Sequence, residues 1–339
     1  MKVNQLGEFN LIKLLATTLD KNFKSVNDFD DVYKLLVGIG DDAAVWEGPA
    51  GRMVFTSDSL VNNVHFDFLY INPNDLGWKA IVASQSDIAA MGFSPLFATI
   101  SLGLTGDETV DTVKSIYEGI AEACSEFGGK IVGGDTVKSE TLFISVSMIG
   151  CHPSDTCKTD PLNRESAKVG DLIAVTGNLG SSAGGLRVLI GGEKQTPRNK
   201  SLIEAHKRPI PQIQTGLWLA THGVSCSTDI SDGLIDDLGR ICRASNVGAR
   251  IRIDNIPVSK DLKAVFPSDW IKLSLSGGED YQLVFTGSDE IISMAIDSLE
   301  TPITVIGEIT KDYPDIKILN SKGIEETSPV KGFDHFTNI

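Results

Sequence analysis

Residues 74–106 read NDLGWKAIVASQSDIAAMGFSPLFATISLGLTG, and a change of period inside this stretch decides the fold class. Asn74 can cap a helix that runs to Gly92, after which Leu96–Leu104 reads as a buried strand. The 19 residues from Ile88 to Gly106 carry no charge. Pro95, three glycines and the mid-stretch change of period mark them as a helix end plus a strand, not a membrane span. Upstream, FNLIKLLATTLD (9–20) has helical apolar spacing, and Val37–Trp46 and Arg52–Leu60 read as short strands. Downstream, Asp107 and Glu108 are expected to open an amphipathic helix with Val110, Val113, Ile120, Ala123 and Phe127 on one face and Gly128-Gly129 as its stop. Strands then follow around Lys130–Gly133 and Leu142–Ile149.

At residues 151–165, CHPSDTCKTDPLNRE is rich in turn formers and marks a domain boundary. Beyond it the pattern restarts. A strand at Asp171–Thr176 and a Gly-rich turn lead into GNLGSSAGGLRVLIGG, with helices around Leu202–Ala205, from Ile213 and over Ser231–Ala244. Strands at Ala249–Ile253, Tyr281–Thr286 and Thr304–Ile309 are interspersed. The expectation is an α/β (α+β) protein of two domains, 1–150 and 151–339, which suits 339 residues at roughly 150 per domain.

Composition narrows function. Hydrophobic residues at 41% and charged residues at 22% describe an ordinary globular chain. Thirty Lys+Arg against 45 Asp+Glu give a formal charge of -15, which disfavours a nucleic-acid or anionic-membrane surface. The five cysteines form no C-x-x-C pair, and the N-terminal MKVNQLGEFNLIKLL lacks the order of a secretory signal. A cytoplasmic protein with reduced thiols is expected.

Several segments share one grammar: an apolar run, then glycine or a hydroxyl, then a carboxylate. They are GIGDD (Asp41, Asp42), FTSD (Thr56, Ser57, Asp58), IVGGD (Asp135), STDISDG (Asp229, Ser231, Asp232) and SGGED (Glu279, Asp280), with Asp87 added by the helix. Glycines allow close backbone approach, so such turns present N–H groups beside a carboxylate, a composition suited to Mg²⁺ and phosphates. Any one of them alone is usually a plain turn or a helix cap, and Ser231-Asp232 at a helix start is the clearest such case. Their number is what points to a metal-binding pocket. No P-loop, H-E-x-x-H or G-x-S-x-G is present, and GNLGSSAGG lacks dinucleotide spacing, so a tight strand-to-helix turn is its better reading. His65 follows the FTSD run closely enough to reach a site.

In order along the chain, GEFNLI (7–12), GIGDDAAV (38–45), SDSLVNNVHF (57–66), KAIVASQSDIAAMG (79–92), IVGGDT (131–136), KRPIPQ (207–212), DISDGLIDDLG (229–239), SGGEDY (276–281) and KGFDHF (331–336) resemble the thiamine-monophosphate kinases. These belong with the aminoimidazole ribonucleotide and selenophosphate synthetases. The resemblance spans essentially the whole chain. It implies Mg²⁺ ligands at Asp42, Thr56, Ser57, Asp58, Asp87, Asp135, Asp229 and Asp232. It also implies ATP contacts at Tyr117, Gly134, Asp135, Arg164 and Ser231, and thiamine-phosphate contacts at His65, Glu279 and Phe333. The family fold implies an N-terminal ATP/Mg-binding domain whose sheet joins that of a dimer mate in a barrel, and a C-terminal α/β domain closing over the site. A homodimer using ATP, several Mg²⁺ ions and thiamine monophosphate is the expectation.

Two positions depart from the pattern. Phe333 stands where tyrosine is common, which keeps ring stacking and removes a hydroxyl; the order Thr56-Ser57-Asp58 swaps two hydroxyl residues seen in some relatives. A sibling synthetase and a non-catalytic Mg-nucleotide regulator are the alternatives. The first cysteine, at Cys124, and the ending FTNI argue against two of the siblings, the selenophosphate synthetases and the cysteine-tailed hydrogenase-maturation proteins.

Overall fold

The computed structural model describes residues 1–6, 8–22, 33–37, 45–48, 51–152, 160–192, 196–313, 315–320 and 322–326. Asp41, Asp42 and Phe333 lie outside them. The chain divides into two compact units, 1–88 with 93–158, and 89–92 with 159–339.

In the first unit, α1 (Val3–Leu6) and α2 (Glu8–Asn22) precede β1 (Lys34–Val37) and β2 (Val45–Glu47), an antiparallel pair. There follow β3 (Met53–Val61), α3 (Pro73–Ala90), β4 (Ser94–Leu104), α4 (Val110–Phe127), β5 (Lys130–Lys138) and β6 (Phe143–Cys151). The last four strands form one sheet in the order β3-β6-β4-β5, with β4 and β5 parallel and the other pairs antiparallel. Parallel neighbours need a crossover, and α4 supplies it. Strand β3 alternates between exposed and partly buried residues, so Thr56 and Asp58 share one face while Phe55, Ser57 and Ser59 share the other.

Two helix starts differ from the sequence expectation, for one reason. Asn72, not Asn74, caps α3: its Oδ1 accepts the Asp75 N–H at 2.9 Å, and Pro73 fills the first helical position, where no N–H is needed. Thr109 caps α4 by accepting the Thr112 N–H at 3.0 Å. Glu108 instead folds back on the N–H groups of Thr105 and Gly106, at 3.1 and 2.9 Å. In both cases the cap is the residue whose side chain reaches the N3 amide.

Helices α3 and α4 touch backbone to backbone. A Cβ at Gly77 would lie 1.8 Å from the Ile116 carbonyl oxygen, and one at Gly119 would lie 1.8 Å from the Asn74 carbonyl oxygen. Buried Gln85 then reaches from α3 to the end of α4, donating to the Gly128 carbonyl at 2.8 Å and so satisfying an orphan helix-terminal acceptor.

The second unit runs β7 (Leu172–Thr176), α5 (Ser181–Gly191), α6 (Pro197–Lys207), α7 (Ile213–Thr221), β8 (Cys226–Ile230), α8 (Leu234–Ser245) and β9 (Gly248–Arg252). It continues through α9 (Lys260–Val265), α10 (Trp270–Ser276), β10 (Gln282–Gly287), α11 (Asp289–Ser298), β11 (Ile303–Thr310), β12 (Ile316–Leu319) and β13 (Glu325–Glu326). Its seven strands form one mixed sheet in the order β13-β12-β9-β11-β7-β10-β8. One face packs on α8 through Leu234, Leu238, Ile241 and Cys242, which recur at helical spacing and are fully buried with Val175, Ile230 and Val284. Strand β8 is an edge, and the backbone of Asn163 covers its start. Asn163 donates its N–H to the Ser225 carbonyl and accepts from the Ser227 N–H, both at 3.0 Å. Among the described residues no helix is long and apolar enough to cross a membrane.

Candidate active site

Within the first unit the predicted ligands separate into two places. On the helix-facing side of β3, Thr56 Oγ1 donates a short hydrogen bond to Asp87, and Ser84 Oγ donates to Asp58 Oδ2 at 2.8 Å. Ser84 and Asp87 are three residues apart on α3 and so lie on one helical face. Asp58 and Asp87 are therefore two half-buried carboxylates set against each other. Burial first, and the Asp87 charge second, push the Asp58 carboxyl up to about 6 against the pull of the Ser84 hydroxyl. Ser57 is not part of this group: strand alternation turns it to the other face, where its hydroxyl lies 3.1 Å from that of Ser147. Ser57 can offer this pair at most its backbone.

The second place is a cavity of about 90 Å³ walled by α2 (Ile12, Leu15, Leu19) and by Tyr117, Gly134 and Asp135. Three predicted ATP contacts thus line one apolar-walled space. Tyr117 is buried, and burial pushes its phenol upward, so it stays a neutral donor. Asp135 pairs in register with Ser101, Ser101 with Ser145, and Ser145 with Ser59, so it lies three strands across the sheet from β3. At roughly 4.8 Å per strand that is about 14 Å, which keeps it out of the Asp58–Asp87 pair. His65, in the turn after β3, accepts the Val61 N–H on Nδ1 at 3.1 Å, which leaves its proton on Nε2.

In the second unit, the end of β8 collects the rest. Asp229 is buried in β8 opposite Leu283. Arg164 donates from Nε to Thr228 Oγ1 at 3.0 Å. Ser231 and Asp232 form the turn that follows, and the SGGEDY turn packs on it, with the Glu279 N–H on the Ser231 carbonyl at 2.8 Å and the Tyr281 N–H on the Ile230 carbonyl at 3.0 Å. Glu279 and Tyr281 adopt φ of 64° and 50°, left-handed backbone that side chains resist, so tertiary contacts hold this turn in a strained form. The Glu279 carboxylate reaches within 3.6 Å of buried His206 Nδ1, itself 3.1 Å from Ser182 Oγ.

The Ser231-Asp232 turn is not the helix cap that the sequence suggested. Gly233 occupies the cap position without a side chain, and α8 starts at Leu234. The capping carboxylate is Asp237, fully buried, whose Oδ2 accepts the N–H groups of Ser231, Asp232 and Gly233 at 3.1, 3.0 and 3.1 Å. Burial pushes Asp237 up to about 6, while Arg240 and the amides pull it down. Arg240 donates to Asp237 at 2.8 Å and makes a short contact with Asp232, so Asp232 faces a guanidinium. Asp280 plays the equivalent part for the Gly-rich turn. Buried, it accepts the Gly180 and Ser182 N–H groups at 2.5 and 3.0 Å and fills the positive end of α5. Its carboxylate takes amides that a phosphate would need, and GNLGSSAGG is a strand-to-helix turn.

The sequence reading missed Ser84, His206, Asp237 and Arg240. Ser84 was findable from its i,i+3 spacing to Asp87. Asp237 was findable as the acid at the fourth position of α8. His206 is legible only from the packing of α6 on α5. Among the described residues no three His, Cys, Asp or Glu side chains form a group able to hold a metal by themselves.

With this geometry in place, comparison with known proteins is informative. Residues 40–152 match the AIR synthase related protein N-terminal domain, and residues 168–317 match the corresponding C-terminal domain. The thiamine-monophosphate kinase of Bacillus subtilis is 35% identical over 310 residues, 88% of this chain and 93% of that one. The thiamine-monophosphate kinase of Aquifex aeolicus is 34% identical over 341 residues, 99% of this chain and all of that one. A solved AaThiL complexed with AMPPCP and TMP superposes with a TM-score of 0.75 at 33% identity, covering 99% of both chains.

Proposed function

The chain belongs to the thiamine-monophosphate kinase family, and from that premise we propose that it transfers the γ-phosphoryl group of ATP to thiamine monophosphate, giving ADP and thiamine diphosphate. The observation that carries the chemistry is the Asp58–Asp87 pair. Two carboxylates facing each other repel, and the hydroxyls of Ser84 and Thr56 that donate to them are neutral. A hard dication relieves that repulsion, and all the donors are oxygens, so the residues present fit Mg²⁺. Two facing carboxylates among the described residues also suit an ion that takes further ligands from water and substrate phosphates. When bound, Mg²⁺ supplies charge neutralisation to the two polyanions that must meet.

The chain's own residues position and polarise. A phosphate monoester has a second pKa near 6, so the attacking oxygen is ionised at pH 7 without a protein base. It bonds to the γ-phosphorus as the bond to the β-phosphate oxygen breaks. Arg164 and the Ser231 turn are suited to the nucleotide phosphates, and the cavity at Tyr117, Gly134 and Asp135 to the base and ribose. Glu279, backed by His206, suits the cationic thiazolium or the aminopyrimidine, with His65 as a donor from Nε2. Asp42, Asp135, Asp229 and Asp232 are further proposed ligands of several Mg²⁺ ions, Asp135 at a different ion from the Asp58–Asp87 pair and Asp232 in the orientation that Arg240 gives it. The first unit is then the ATP- and Mg-binding domain and the second the domain that closes over the site, in a cytoplasmic enzyme.

The test is product formation from ATP and thiamine monophosphate, with and without Mg²⁺, and with free thiamine as control. Mg²⁺-dependent thiamine diphosphate from the monophosphate alone is expected. A free hydroxyl must lose a proton as it attacks, whereas the ionised phosphate oxygen need not. Turnover of thiamine itself, or none of either with Mg·ATP bound, would move the assignment to a sibling enzyme or a regulator.

The free face of the four-stranded sheet supports a homodimer. Phe55 is 70% exposed and Met53 40% on the same row of edge strand β3, among serines. Exposed apolar side chains on a strand at the end of the sheet suit a partner, and a second copy is the one the family fold implies. Phe55→Lys is expected to turn a dimer into a monomer by light scattering; an unchanged mass would remove this face from the interface.

A further inference from the structure

Arg240 stands where three carboxylates converge. It donates to Asp232 and to Asp237, and the Asp229 charge also acts on it. Asp237 in turn holds three successive amides of the turn that carries Ser231 and Asp232. We infer that Asp237 and Arg240 form a positioning pair for the nucleotide: Asp237 fixes the backbone of the Ser231–Gly233 turn, and Arg240 holds the Asp232 carboxylate in place. The inference rests on the proposed roles of Ser231 and Asp232.

The physical case has three parts. Asp237 Oδ2 receives all three N–H groups, so its other oxygen, Oδ1, is left for Arg240. One oxygen therefore sets the backbone and the other sets the guanidinium. Arg240 bridges two carboxylates with separate nitrogens, Nη1 to Asp237 and Nη2 to Asp232, which a planar fork can do and a lysine ammonium cannot do with the same geometry. The turn also anchors the strained Glu279 segment through the Ser231 carbonyl, so the placement of Ser231 bears on both turns. A cap serving only helix stability would need the amides and not the bridge to Asp232. The bridge distinguishes a positioning device from a plain cap.

The experiment compares wild type with Arg240→Gln, Arg240→Lys and Asp237→Asn, reading Mg·ATP affinity by calorimetry and the Michaelis constants for both substrates. Arg240 is partly exposed and Asp237 keeps its three backbone N–H donors in the Arg240 variants, and circular dichroism establishes that each variant is folded before its affinity is read. Arg240→Gln is expected to weaken Mg·ATP by about tenfold, the scale of one lost charge-assisted pair, with a smaller rise in KM for thiamine monophosphate passed on through the Ser231 contact to the Glu279 turn. Arg240→Lys should recover only a minor part of that loss. Where Asp237→Asn folds, adding Arg240→Gln to it should cost less than the two single losses combined, because both act through one turn. Mg·ATP affinity within twofold of wild type in Arg240→Gln, or full rescue by lysine, would overturn the inference. Failure of the kinase reading looks different: wild type would bind Mg·ATP and not turn over thiamine monophosphate, and the affinity comparison would still decide the positioning role. Absence of Mg·ATP binding by wild type would overturn both.

Discussion

Asp58→Asn and Asp87→Asn are each expected to lower kcat by roughly 10²-fold or more while leaving the metal-free protein at least as stable as wild type. The two halves of this result come from one cause. In the absence of a cation the facing carboxylates repel, and the Asp58 carboxyl is pushed up to about 6 by burial and by that neighbour. An asparagine removes one charge yet still offers an oxygen to Ser84 or to Thr56, so the local hydrogen bonds survive. The same change removes half of the site that would hold Mg²⁺ against the phosphates. Steady-state rates at saturating substrate, with thermal unfolding in chelator, measure both halves. Near-normal turnover in both variants would sink the shared-metal reading, and a lost rate accompanied by a lowered melting temperature would make the pair structural instead.

The second large effect is on folding. Gly77→Ala and Gly119→Ala are each expected to destabilise the protein by about 3 kcal/mol or more, enough to remove most soluble material. The new methyl would meet carbonyl oxygens of the facing helix at 1.8 Å, and backbone cannot rotate aside as a side chain can. Either α3 and α4 separate, opening the packing of Trp78 on Phe127, whose rings lie 5.5 Å apart, or the register of the crossing slips. Gly51→Ala is the matched control, because nothing lies within 4 Å of its new methyl. Chemical denaturation of the three variants provides the comparison, and equal midpoints would disprove the close crossing.

What the sequence revealed depended on the reach of each interaction. The helices and strands with clear periods lie where expected, β3, β4, α4 and β7 within a few residues. Periodicity and apolar runs are both local: β3 and α4 bury one face, and β4 and β7 are buried on nearly all sides. Helix starts differ by about two residues because capping residue types near a helix start are visible in sequence, whereas which one reaches the N3 amide is a matter of geometry. The acidic turns were recognised as a set, but their single convergence was an assumption. The register places Asp135 across the sheet from Asp58, and strand alternation turns Ser57 away. The roles of Asp237 and Asp280 are not legible from residue type, since each acts on amides of a turn rather than on a ligand. The Asp280 bonds span the chain from residue 180 to residue 280.

The order of strands in the second sheet has a consequence for how the enzyme is made. Central β7 lies between β11 and β10, and Thr176 meets its partner Gln282 only 106 residues later along the chain. Closing so long a loop costs entropy before any pairing repays it, so this sheet is slow to form and must wait for most of the chain. The first unit has all four strands of its sheet once Cys151 has emerged from the ribosome, and domains fold in order of synthesis. The Asp58–Asp87 pair is thus set during translation, whereas the Ser231 and Glu279 turns meet only near its end.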